Sequence, residues 1–165
     1  VAKTSSQDKN SDSASNKKVV LDTIKKITQT NLNPLVASSG LSIQYAIMMG
    51  LIDDAQENYP EKAIKFIVPP NCYGGTNDQA RRVAACIENV EIVDLPVDGD
   101  NDMVKSIDTV LTKIASDDAI PYIIAEIPTN PRVEVPNLID LKNVLTTSVK
   151  LIFFKYSLIL YFFVK

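Results

Sequence analysis

The chain has 165 residues, 45% of them hydrophobic and 22% charged, with 17 basic against 20 acidic side chains and no histidine. That length suits one domain, and a net charge of −3 exerts no pull toward nucleic acid or an anionic membrane. Without histidine there is no His-based triad, no His-ligated metal and no imidazole acid–base step; two cysteines, Cys72 and Cys86, are too few for a zinc site or disulfide framework and fit a reduced, cytoplasmic setting.

The amino-terminal tail, residues 1–18, is polar, and from 3 to 18 its only apolar side chain is Ala14. Such a stretch buries too little surface to offset its ordering entropy and reads as disordered, and it lacks the apolar core of a secretory signal. Asn16 can cap a short helix with Val20, Leu21, Ile24 and Ile27 on one face, broken at Asn33-Pro34. Ser38-Ser39-Gly40 opens a second helix through Leu41, Ile43, Ala46, Ile47 and Leu51, ending before Pro60. The run 64–68, apolar but for Lys65, has the character of a buried strand, and the loop PPNCYGGT follows it over 69–76. Thr76 and Gln79 have capping-box spacing for a helix reaching Cys86. Residues 90–95 form the next strand, and Asp100 or Asn101 starts a helix that buries Met103, Val104, Ile107, Val110, Leu111 and Ile114. A third strand spans 121–127 and leaves through PTNP at 128–131; Asn137 caps a last helix bearing Leu138, Leu141, Val144 and Leu145.

The segment 151–165 holds six of the chain's eleven aromatic residues. As a helix it would rise only about 22 Å, short of a hydrocarbon core of roughly 30 Å. A tail anchor is therefore the lesser reading. The preferred one is a sticky segment foreign to the fold, including one translated from a shifted frame or unspliced sequence. The expected organisation is a tail over 1–18, an α/β domain over 19–147 and a hydrophobic tail over 148–165.

Alternating strands and helices imply right-handed crossovers and a mainly parallel sheet with flanking helices. Ligands of such sheets sit at the carboxyl ends of the strands, where the loops 69–76 and 128–131 emerge. The Ser39 turn joins that edge only if the fold brings it round. The sequence contains no G-x-G-x-x-G, no P-loop and no G-x-S-x-G elbow.

Taken singly, the remaining features have ordinary readings. Ser39-Gly40-Leu41 can cradle a phosphate with helix-start amides, or simply cap a helix. Tyr73 beside Gly74-Gly75 can stack on a planar ring, or sit in a plain turn. Asn130 is by itself a turn former, and Cys72 an inert thiol.

In order and together they are specific. SSGLS at 38–42, NCYGGT at 71–76 and AEIPTNPRVEVPNLIDL at 125–141 resemble the cysteine/methionine-metabolism family of pyridoxal-phosphate enzymes, which includes the cystathionine synthases and lyases and methionine gamma-lyase. The resemblance spans roughly residues 38–145 and implies part of the large domain of a fold-type I pyridoxal-phosphate-dependent transferase. By the same resemblance, the amides around Ser39, Gly40 and Leu41 would hold the cofactor phosphate, and Tyr73 would stack on the pyridine ring. Asn130 would hydrogen-bond the ring hydroxyl, and Glu126 would line the pocket less directly. The family cleaves or exchanges groups at the beta or gamma carbon of sulfur-containing amino acids, as lyases or transferases of transsulfuration, and works as homo-oligomers.

The departures are as informative as the matches. The family's aspartate for the pyridine nitrogen, its Schiff-base lysine and its arginine for the substrate carboxylate all lie beyond the region of likeness. Lys150, Lys155 and Lys165 stand in unrelated hydrophobic sequence. Asn71 replaces the usual aspartate before Tyr-Gly-Gly, and Leu41 the usual methionine. The chain therefore reads as a fragment of such an enzyme, without turnover of its own and with weak cofactor binding at best. The alternative is a non-catalytic α/β interaction protein, membrane-associated through its carboxyl-terminal tail.

Overall fold

The computed structural model describes residues 8–99, 101–129, 133–151 and 158–161. They fall into two compact units, Val1–Ile43 and Gln44–Lys165.

In the first unit, helix α1 spans Asp8–Thr28. This corrects the expectation of disorder over its first half and moves the helix start well ahead of Asn16, which lies mid-helix. Composition forecast disorder because these side chains bury nothing, and those from Asp12 to Val20 are indeed exposed. Extending an existing helix needs no burial, however, because each added residue gains a backbone bond once the nucleus exists. Local pairs assist: Lys18 meets Asp22 at 3.0 Å, and Lys25 and Lys26 lie in the last turn, where the helix dipole favours cations. The expected apolar face is only partly realised, with Leu21 and Ile24 half-buried but Ile27 73% exposed. Gln29 ends the helix with φ of 52°, and Lys25 Nζ donates to Asn33 Oδ1 at 2.7 Å, tying the following chain back onto α1.

Helix α2, Gly40–Asn58, begins in the first unit and continues into the second. From there the order is β1 (Ile64–Val68), α3 (Gly74–Cys86), β2 (Val90–Asp94), α4 (Met103–Ala115), β3 (Ile120–Glu126), α5 (Leu138–Leu151) and β4 (Leu158–Tyr161). The strands form one parallel sheet in the order β2-β1-β3-β4. Three of these strands match the sequence reading to within a residue. The fourth does not: Leu158–Tyr161, inside the segment expected to be foreign to the fold, pairs with Ile123–Glu126. An unbroken apolar run carries no periodicity to distinguish a strand from a helix, so sequence alone could not place it.

Alternation along the central strands divides the core into two layers. Ile64, Phe66 and Val68 of β1 join Ile120, Tyr122 and Ile124 of β3 beneath Met48, Ile52 and Ala55 of α2 and Ala80 and Val83 of α3. Ile67, Ile123 and Ala125 face the other way, against Ile107, Leu111 and Ile114 of α4 and Leu141 of α5. Each large apolar side chain so enclosed contributes about 1.5–3 kcal/mol relative to exposure. Helix α4 starts one or two residues later than expected, because Asp102 is its cap and accepts from the Lys105 N–H at 3.0 Å. Asn137 caps α5 as expected, its Oδ1 accepting from Ile139 and Asp140. Among the described residues, no helix is long and apolar enough to cross a membrane.

Candidate functional site

The sheet order locates a crevice. From β1 the chain runs through α3 to β2 on one side; from β3 it runs through α5 toward β4 on the other. The loops leaving the adjacent strands β1 and β3 therefore diverge, and such a switch point at the carboxyl edge is where open α/β sheets bind ligands. Both strong sequence motifs of the second unit emerge here.

They are joined by a direct bond. Glu126, the last residue of β3, accepts from the Tyr73 backbone N–H at 3.1 Å through Oε2. A charged acceptor strengthens such a bond relative to a neutral one. The Tyr73 carbonyl in turn accepts from the N–H of Thr76 at 2.8 Å and of Asn77 at 3.2 Å, opening α3. Gly74 carries nothing within 4 Å of where a Cβ would stand, so this turn is not crowded from above. Tyr73 is 48% exposed at this edge.

The surroundings of Tyr73 are otherwise tied down. Asn77 Nδ2 donates to the Pro69 carbonyl at 3.2 Å, and the Cys72 N–H donates to the same carbonyl at 3.2 Å. Burial, helped by the nearby Glu126 carboxylate, pushes the Cys72 thiol up to about 11, so it stays protonated at neutral pH, consistent with an inert thiol. Arg81 bonds Asn77 at 2.7 Å and Asp94 at 2.6 Å, linking α3 to the end of β2.

The expected Thr76–Gln79 capping box does not form. The helix is capped three residues earlier, at Tyr73, with no side-chain cap bond, and Thr76 is instead buried with its hydroxyl donating to Gln44 Oε1 at 3.0 Å. That long-range partner, on α2, is a site residue the sequence reading missed, and its only signal was a polar residue one turn before an apolar stripe.

Of the other predicted residues, Ser39 lies in the first unit and acts as the cap of α2. Its hydroxyl accepts from the Ser42 N–H at 3.2 Å and pairs with the Ser42 hydroxyl at 2.8 Å. Gly40 and Leu41 are the first two residues of that helix. Asn130 lies outside the described residues. Its neighbour Thr129 is bound on three sides: its N–H donates to the Glu134 carbonyl at 2.9 Å, its carbonyl accepts from Val133 at 2.7 Å, and its hydroxyl accepts from Glu134 at 3.0 Å. Val133 adopts φ of 57°, a strained conformation for a β-branched residue. The same loop contributes Thr129, Glu134 and Pro136 to a cavity of about 140 Å³ shared with Val97, Asp102 and Met103. That cavity is lined by neither Tyr73 nor Glu126. No cluster of metal-ligating side chains occurs among the described residues.

Comparison with known proteins adds little to this geometry. No protein-family model matches the sequence, and no curated protein does. Among solved structures, metB from Corynebacterium glutamicum is similar over 68% of this chain, with 17% identity and a TM-score of 0.37. The chain spans 25% of the length of that structure's chain.

Proposed function

We propose that this chain carries the ring-stacking wall of a pyridoxal-phosphate site of the cysteine/methionine-metabolism type. The observation that carries the reading is the Tyr73–Glu126 hydrogen bond, which joins the two motif-bearing loops at the switch point of the sheet. The residues fit a flat cofactor: Tyr73 is an aromatic residue about half exposed, and its backbone N–H is held by Glu126. Glu126 thus serves as the anchor of the stacking loop, a more specific part than pocket lining. Asn130 is assigned to the ring hydroxyl and the Ser39-Gly40-Leu41 turn to the phosphate, as the motif likeness implies.

When bound, pyridoxal phosphate draws electrons from an attached amino acid and so weakens bonds at its beta or gamma carbon. The substrates would be sulfur-containing amino acids. The lysine that attaches the cofactor in this family has no counterpart in matching sequence here, so the chain alone binds weakly and does not turn over. The test uses pyridoxine 5'-phosphate, whose alcohol forms no adducts with surface lysines, followed by calorimetry. Saturable binding is expected, weakened about tenfold by Tyr73→Ala and retained by Tyr73→Phe, as loss and retention of one stacking contact require. Absence of saturable binding overturns the reading. Release of keto acid from cystathionine or cysteine by the pure chain overturns the statement that it lacks turnover.

A further inference from the structure

Gln44 and Thr76 are the two buried polar residues among those described, at 2% and 8% exposure. Each satisfies the other: Thr76 Oγ1 donates to Gln44 Oε1 at 3.0 Å, and Gln44 Nε2 donates to the Thr76 carbonyl at 3.3 Å. Gln44 heads a stripe on α2 that continues as Met48, Ile52 and Ala55, all apolar and buried. A leucine or methionine at its place would extend that stripe without the cost of desolvating an amide. What the amide supplies is direction, since a reciprocal pair of hydrogen bonds admits one placement of α3 against α2, whereas an apolar contact admits several.

The bonds continue outward from that pair. Thr76 is the third residue of α3, its N–H is held by the Tyr73 carbonyl, and the Tyr73 N–H is held by Glu126. A line of hydrogen bonds therefore runs from the interior of α2 to the carboxyl end of β3, with Tyr73 in its middle. We infer that Gln44 is a positioning residue, which through Thr76 fixes the backbone of Tyr73 on the Glu126 carboxylate. The inference deepens the reading of Tyr73 as the cofactor wall, and rests on that reading only for its ligand arm.

Amide exchange resolved by residue tests it, in Gln44→Met, in Thr76→Val and in the two combined. Each single variant leaves one buried polar group without its partner and lowers the unfolding midpoint. The double variant leaves neither orphaned, so its midpoint returns to the wild-type value or above. Exchange of the Tyr73 amide, however, remains about tenfold faster than wild type in the double variant, the factor expected for loss of one anchoring bond. Recovery of Tyr73 protection together with the midpoint overturns the proposal and reduces the pair to packing. Thr76→Ser keeps the hydroxyl and leaves Tyr73 exchange unchanged; a rise equal to that of Thr76→Val overturns the proposal by itself, even should the double variant not fold. Pyridoxine 5'-phosphate affinity in the double variant falls about tenfold. Absence of binding to the wild-type chain would remove the cofactor reading, while the exchange result still decides the role of Gln44.

Discussion

The two margins of the sheet are built on different chemistry. At the amino ends of the strands, side chains of opposite charge close the structure: Lys62 pairs with Asp118, and Lys65 lies 2.7 Å from Asp117 and 3.7 Å from Glu91. At the carboxyl ends Arg81 pairs with Asp94 beside β2, but the bond that joins β3 to the loop after β1 runs from a backbone amide to a carboxylate, with Tyr73 half-exposed beside it. Ion pairs of long side chains tolerate a slack backbone. An amide–carboxylate bond does not, because one partner is the backbone itself. The first margin holds the strands together, and the second holds a loop in place for something else.

The severest way to break the contrast is to remove what both margins share. Phe66 is fully buried at the centre of β1, between β2 and β3, with its ring 5.4 Å from that of Tyr122. Phe66→Ala is expected to lower unfolding free energy in urea by about 3–5 kcal/mol. An effect below about 1 kcal/mol would mean that the layer under α2 and α3 does not close around Phe66.

Glu126→Ala sharpens the contrast by acting on the carboxyl margin alone. It removes a charged acceptor, an effect of about 1.5 kcal/mol, so the Tyr73 amide exchanges about tenfold faster while amides of the amino margin keep their protection. Glu126→Gln keeps an acceptor but discards the charge. The Cys72 thiol, held up by burial and by that carboxylate, then titrates lower and is alkylated faster at pH 9. Equal alkylation rates in wild type and variant would show that burial alone governs the thiol.

Lys65→Met is the mildest and touches the other margin, with an expected fall in thermal midpoint of about 2 °C or less near neutral pH. Its signature is the pH dependence. The hydrogen bond from Lys65 holds Asp117 below the ordinary aspartate range, so the pair stabilises the fold above that range and loses its effect as pH falls through the folded-state value. The bond to Asp117 raises Lys65, so the contribution also disappears as pH climbs past the ordinary lysine range. The difference between wild type and variant should be flat between those limits and vanish at both ends; a difference that persists in acid would assign it to packing of the lysine stem.

Much of this could be read from the sequence where chemistry is local. The runs 64–68, 90–95 and 121–127 became β1, β2 and β3, and Asn137 capped α5, because short strand-forming runs bounded by turn residues, and caps, depend on residues within a few positions of each other. The misses involve distant partners. Thr76 looked like half of a capping box until Gln44, far away in sequence, took its hydroxyl. Leu158–Tyr161 became a strand only because β3 offered it an edge. The site was legible as three motifs and two loops, but the bond that unites two of them runs between a side chain and a backbone amide 53 positions apart, which no spacing rule encodes.

The sheet also ends differently on its two flanks. Its outermost strand on one side, β2, carries Glu91 and Asp94, both with well-exposed carboxylates. Each is paired within the chain, Glu91 with Lys65 and Asp94 with Arg81, so this edge is lined by ion pairs rather than by bare apolar backbone. The other flank ends in the apolar β4, Leu158–Tyr161. Among the described residues the sheet therefore has one flank set with carboxylates and one made of apolar side chains, and only the first carries the charge that guards an edge strand.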